Sequence, residues 1–292
     1  MKKILAVSAL AGTFLFNSAY AAPSYIERET INQVALLQSL ALGHFDGSIT
    51  ARDWKRFGDT GIGTFNGLDG ELIMLDGVIY RANQDCSINV VSDSVTIPFS
   101  NITFFDKDYS VKLQNISDKA ALESRLNSIV EERGINSFYM VKIPATFNSI
   151  VVRSEAKQVK PYPTLVQALE RTQHELTCED ITGTIVGLYC PVYMGELNSV
   201  GWHFHFVSED KTTGGHVLEL NIKDGIAQLD KTDNFNLHLP KTKNFHALDL
   251  AQDLRDDIHK AETESNFNDE DETTAESEEI TETNSATEEQ EE

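Results

Sequence analysis

The sequence predicts a mixed α/β (α+β) fold whose second half is strand-rich and carries a three-histidine metal site. Three observations carry that expectation. Helical and strand-like apolar patterns both occur, but not in the strict alternation of a parallel βαβ protein. From Gly183 onward strand signals follow one another almost without a break. The 292 residues suffice for one large domain or two ordinary ones, and an apolar content of 40% can fill a core.

The elements follow in order. Lys2 and Lys3 precede an apolar run over 4–16 and the small-residue pattern "AYA" at 19–21. That is the layout of a secretory signal peptide cut after Ala21, and the run is too short to span a bilayer. The chain is therefore expected to be exported, periplasmic or secreted, with no membrane attachment after cleavage. "INQVALLQSLALG" (31–43) has helical spacing and a glycine stop, and "ARDWKRFGD" is a shorter helical candidate. In "GTFNGLDGELIMLDGVIYRAN" (63–83), two Leu-Asp-Gly repeats mark turns around a strand at 71–75, apolar on both faces after Glu71.

Further strands are expected at 97–105, 137–144 and 146–158. A helix is expected over 119–134, ended by glycine, and another, started by proline, in "KPYPTLVQALERTQHEL". Strands at 183–195, 201–207, 215–222, 226–229 and 236–239 then dominate, before helical spacing returns over 247–264. These signals divide the chain into a signal peptide (1–21), an N-terminal mixed α/β domain (22–160), a C-terminal strand-rich metal-binding domain (161–265) and an acidic tail (266–292). The tail is Glu, Thr, Ser and Asn with almost nothing to bury, so it is expected to be disordered.

Charge and cysteines narrow the function. The net charge is −22, of which 12 acidic residues lie in 269–292, and no basic surface is available to bind nucleic acid. Cys86, Cys178 and Cys190 are odd in number; one pair could bridge after export, and which pair is open. None stands near the histidines.

Three of the eight histidines lie in "GWHFHFVSEDKTTGGHVLEL" (201–220). On a strand His203 and His205 point one way while Trp202, Phe204 and Phe206 point the other. A reversal through "SEDKTTGG" returns His216 on a neighbouring strand, with Leu218, Leu220 and Ile222 expected on its face. Three buried imidazoles without a partner are costly, whereas neutral imidazole is a preferred ligand of Zn²⁺. Three histidines and no nearby cysteine leave a coordination position open, as catalytic zinc requires. His44, His174, His238, His246 and His259 show no such grouping.

"GTFNGLDGELIMLDGVIYR", "RSEAKQVKPYPTL", "GTIVGLYCPVYMG" and the histidine segment together resemble the α-acetolactate decarboxylase family, over about residues 31–262. The resemblance implies conversion of (S)-2-acetolactate to (R)-acetoin and CO2, zinc on His203, His205 and His216, a fold of two domains built on two β-sheets, and a homodimer. It implies that Glu71, Arg153 and a late glutamate, Glu262 or else Glu264, line the pocket, with Thr64 a substrate contact. "NSVG" and Ser154 depart from the family's usual residues but remove no ligand.

The chemistry suits these side chains. Loss of CO2 leaves an enediolate whose charge a Lewis-acidic zinc can stabilise. Arg153 offers fixed donors to an anion, and Glu71, opening an apolar strand, is the first candidate acid or base, assisted by Glu262. Two rival readings use the same histidines: a carbonic-anhydrase-like hydratase, and an exported zinc-binding protein.

Overall fold

The computed structural model describes residues 28–263, so the signal peptide at 1–21, the tail at 266–292 and Glu264 lie outside the described residues. The first half runs β1 (Thr30–Val34), α1 (Leu37–Ala41), β2 (Ile49–Thr50), α2 (Ala51–Trp54), β3 (Thr60–Thr64), β4 (Glu71–Leu75), β5 (Val78–Ala82), β6 (Ile88–Val90), β7 (Thr96–Ile97), β8 (Ser100–Thr103) and β9 (Tyr109–Ile116). The remainder runs α3 (Lys119–Arg133), β10 (Phe138–Ser154), α4 (Leu165–Thr172), β11 (His174–Cys190), β12 (Gly201–Ser208), β13 (Gly214–Thr232), β14 (Asn234–His238), α5 (Lys243–His246) and α6 (Arg255–Thr263).

Two sheets dominate this mixed α/β, strand-rich architecture. One has seven strands in the order β14-β1-β8-β3-β4-β5-β6, antiparallel except for the β1–β14 pair. The other has the order β10-β11-β12-β13-β9, and β10 also pairs with β13, which closes four of its strands on themselves. The sheets interleave in sequence. β9 and β10, before Lys160, belong to the second sheet, and β14, after it, belongs to the first. A division at residue 160 is therefore not the division between the sheets.

β4 is the strand on which the two layers meet. Leu72 and Met74 pack into one apolar cluster and Ile73 into another, so both faces are covered, which is why "ELIML" lacks polar alternation. It turns into β5 through Asp76 and Gly77, at φ 49° and 82°, the two-residue hairpin that Asp-Gly favours. The second sheet is held by the aromatic side of β12. Trp202, Phe204 and Phe206 pack with Leu122, Leu126 and Val130 of α3, and the Trp202 indole N–H donates to Asn127 Oδ1 at 2.9 Å. The glycines of "GTIVG" on β11 make room for those rings: a Cβ at Gly183 would collide with Phe206, and one at Gly187 with Phe204.

Several expected boundaries move. The helix expected over 31–43 divides: 30–34 is a fully buried strand between β14 and β8, Ala35 leaves it at φ 59°, and only 37–41 is helical. A short apolar run buried on both sides reads alike as helix or strand, and here pairing decides. The strands expected at 137–144 and 146–158 are one strand, β10; Pro144 sits where its ladder to β13 is interrupted. Those at 215–222 and 226–229 are likewise one strand, β13. The proline-started helix is confined to 165–172 by a Thr164–Gln167 capping box, and His174 already belongs to β11. The last helix begins only at Arg255, whose amide donates to the Asp253 carboxylate. No disulfide occurs among the described residues: Cys86 and Cys190 are buried, Cys178 half-buried, and all three are free.

Replacing Gly187 by valine should push β12 off β11. Overpacking of this kind costs about 1–3 kcal/mol, so thermal unfolding should show a clearly lowered Tm; an unchanged Tm would mean that the glycine makes no room the fold needs.

Candidate metal centre

The strand periodicity delivers the histidines as expected. His205 on β12 stands directly opposite His216 on β13, and His203 lies two residues away on the same face. His203 Nε2 is 3.1 Å from His205 Nε2 and 2.9 Å from His216 Nδ1, and one ring nitrogen from each lies within 4.8 Å of the others. Imidazole nitrogens sharing one zinc at about 2.0–2.1 Å stand roughly 3.3 Å apart, close to this spacing. One expectation fails: β13 carries an extra residue at Leu218 against β10, so Leu220 and Ile222 return to the aromatic side with Val217 rather than sharing the face of His216.

Backbone carbonyls fix which nitrogens face inward. His205 donates Nδ1–H to the Leu72 carbonyl at 2.9 Å, and His216 donates Nε2–H to the Glu262 carbonyl at 3.0 Å. A carbonyl only accepts, so His205 Nε2 and His216 Nδ1 present lone pairs to the centre. His203 Nε2 touches both, and with its own proton on Nδ1 three lone pairs face one point and repel. A cation between them removes the conflict. Burial, with the nearby Arg153 charge, keeps the rings neutral: His203 is pushed down to about 3, and His205 and His216 well below the ordinary value. Neutral imidazole is the binding form.

Two carboxyls stand beside the cluster. Glu262 Oε2, buried and without a hydrogen-bond partner, is 3.2 Å from His203 Nε2; Glu71 Oε2 is 3.4 Å from His205 Nε2. Three imidazole nitrogens converging on one point, with two carboxyls beside them, fit a divalent cation held by the histidines.

The remaining predicted residues sit around that point. Arg153, 4% exposed, donates Nη2–H to the Ala261 carbonyl at 2.7 Å and has Glu71 Oε1 3.6 Å from Nη1. Burial, reinforced by the charge of Glu155, holds Glu71 well above the usual carboxylate range, and burial raises Glu262 as well. Thr64, paired with Glu71 across β3 and β4, donates its hydroxyl to the Gly70 carbonyl at 2.9 Å and leaves its oxygen free to accept. All line one pocket, walled on its apolar side by Leu37, Leu40, Phe99, Leu165 and Leu169. A third acid, Glu155, shares the cavity and was not anticipated. The available signal was its place two residues after Arg153, on the same side of an extended segment.

Three comparisons bear on this site. The sequence profile described as Alpha-acetolactate decarboxylase matches residues 31–252. Alpha-acetolactate decarboxylase from Methanosarcina mazei is 37% identical over 234 residues, 80% of either chain, and that from Brevibacillus brevis is 35% identical over 237 residues, 81% of this chain and 82% of its own. The crystal structure of alpha-acetolactate decarboxylase from Bacillus subtilis strain 168 superposes with a TM-score of 0.77 at 34% identity, covering 80% of this chain and all of that one.

His205→Ala should lose its bound divalent metal by elemental analysis; full metal content would sink the ligand assignment. Because burial depresses all three imidazole pKa values, protons should not compete for the metal between about pH 7.5 and 5.5, where ordinary histidines become charged. Metal release with a midpoint near pH 6.5 would contradict the neutral cluster.

Proposed function

The chain belongs to the alpha-acetolactate decarboxylase family, and from that premise we propose that it is a zinc enzyme converting (S)-2-acetolactate to (R)-acetoin and CO2. The observation that carries this reading is the set of inward-facing imidazole lone pairs beside a buried arginine and acids in one pocket. Neither a hydratase nor a zinc carrier has a use for Arg153 and Glu71 placed so.

The substrate brings a carboxylate, a tertiary hydroxyl and a ketone on adjacent carbons. Bound by His203, His205 and His216, zinc supplies Lewis acidity to the substrate oxygens on which charge accumulates. Arg153 has donors to spare at Nη1 and Nε, and in a buried pocket they bind the carboxylate and the developing oxyanion strongly. Thr64 accepts a hydrogen bond from the substrate hydroxyl. The apolar wall holds the two methyl groups and excludes water, so the leaving carboxylate is poorly solvated and CO2 well tolerated.

Glu71 then provides the proton. Its burial raises its affinity for a proton, and it approaches from β4, one side only, so a single face of the enediolate is protonated. Glu262 assists from α6 on the opposite rim. Export follows from the charged and apolar segments at 2–16, and assembly as a homodimer from the family likeness.

Racemic acetolactate incubated with the protein should yield acetoin, lost on chelation and restored by zinc; CO2 hydration without acetoin would refute the reading. Glu71→Gln should retain zinc while kcat falls about 10²-fold or more. An unchanged kcat would demote Glu71 to orienting His205.

A further inference from the structure

Glu155 has no part in the chemistry above, yet it is 1% exposed and lines the same cavity, where its carboxyl shares a hydrogen bond with that of Glu71 but finds no neutral donor. Ser154, between it and Arg153, turns away to donate to the Ala82 carbonyl at 2.9 Å. The one cation beside Glu155 is Arg153, with Nη1 3.8 Å from Oε2. Arg153 in turn is only loosely satisfied: one hydrogen bond to a carbonyl, two carboxyls beyond hydrogen-bond distance, and a buried Nε with no partner. A guanidinium cannot shed its proton, and burying its charge uncompensated is expensive. A carboxylate in loose contact offsets that charge without occupying the donors a ligand needs.

We propose that Glu155 is the exchangeable counter-ion of Arg153: it neutralises the guanidinium in the empty pocket and takes up a proton when the substrate carboxylate replaces it. The proposal rests on Arg153 binding the substrate carboxylate. Once that anion holds the guanidinium, an ionised Glu155 would be a buried charge facing a second one, and protonation removes the conflict. The groups facing it are Arg153 beside it, Glu71 and Asp69 from β4 and the turn before it, Glu262 from α6, and the Cys86 thiol, so acids predominate. Burial lifts Glu155 to about 7, with Arg153 and the hydrogen bond with Glu71 opposing. Uptake here matches the stoichiometry. The bond to CO2 breaks with its electron pair left on the organic fragment, and the new C–H bond consumes one proton, so each turnover takes one proton from solution. Glu155 draws that equivalent into the pocket as substrate binds and acts as a positioning residue for Arg153.

The test is calorimetric binding of 2-hydroxy-2-methylpropanoate to the metal-loaded full chain, in buffers of different ionisation enthalpy. This acid carries the carboxylate and tertiary hydroxyl but no ketone, so it cannot decarboxylate. At pH 8 the wild type should take up more than about half a proton per site, and its affinity should weaken about tenfold per pH unit above 7. Glu155→Gln, with metal content retained, should bind without that uptake. Glu155→Asp should keep it with a displaced midpoint. Wild-type binding without uptake, uptake undiminished in the Gln variant, or an Asp variant with the wild-type midpoint would each overturn the role. An enzyme that makes acetoin but shows any of these loses only this proposal; one that makes no acetoin loses the reading beneath it.

Discussion

Two backbone carbonyls, of Leu72 and Glu262, hold the tautomers of His205 and His216, and the rest of the site depends on that constraint. Each carbonyl accepts the outer ring proton and so turns the other nitrogen, as a lone pair, toward His203. The carbonyls come from different parts of the chain: Leu72 from β4 in the seven-stranded sheet, Glu262 from the last helix. The histidines themselves ride on β12 and β13 of the other sheet. Aiming the imidazoles thus requires three layers to be assembled at once, and the centre cannot be complete unless the sheets have packed and α6 has docked.

The same packing sets the electrostatics. Glu71, Glu155 and Glu262 share one pocket with a single guanidinium, and burial raises all three acids. Such a set is unfavourable as an isolated arrangement and sensible as a receptor, since a divalent ion and an arginine offset whatever negative charge the acids carry. An incoming anion disturbs that balance and must be matched by a proton. A reaction that consumes a proton and releases a neutral gas is well served by a pocket whose charge is regulated in this way.

The sequence showed the centre more clearly than the frame around it. HxH on a strand and a third histidine after a glycine-ended reversal needed only strand periodicity, and β12 and β13 obey it up to His216. Two residues later the extra residue at Leu218 reversed the phase, and no local pattern announces a bulge of that kind. "INQVALLQSLALG" failed for a different reason: its first residues are buried on both faces by β14 and β8, and partners so distant in sequence leave no trace in local spacing. Pro144 looked like a strand boundary because a missing N–H usually is one; here it falls in a gap of the ladder. Glu155 was overlooked because an acid beside a surface-type motif ordinarily faces water, and only the tertiary fold buries it.

The central claim is that His203 Nε2, His205 Nε2 and His216 Nδ1 grip one cation. Anomalous diffraction recorded on either side of the zinc absorption edge, on crystals of the purified enzyme, tests it directly. The account predicts a single strong peak about 2.0–2.1 Å from each of those three nitrogens. A peak elsewhere, coordination through the outer nitrogen of His205 or His216, or a fully active protein with no peak at all would contradict it.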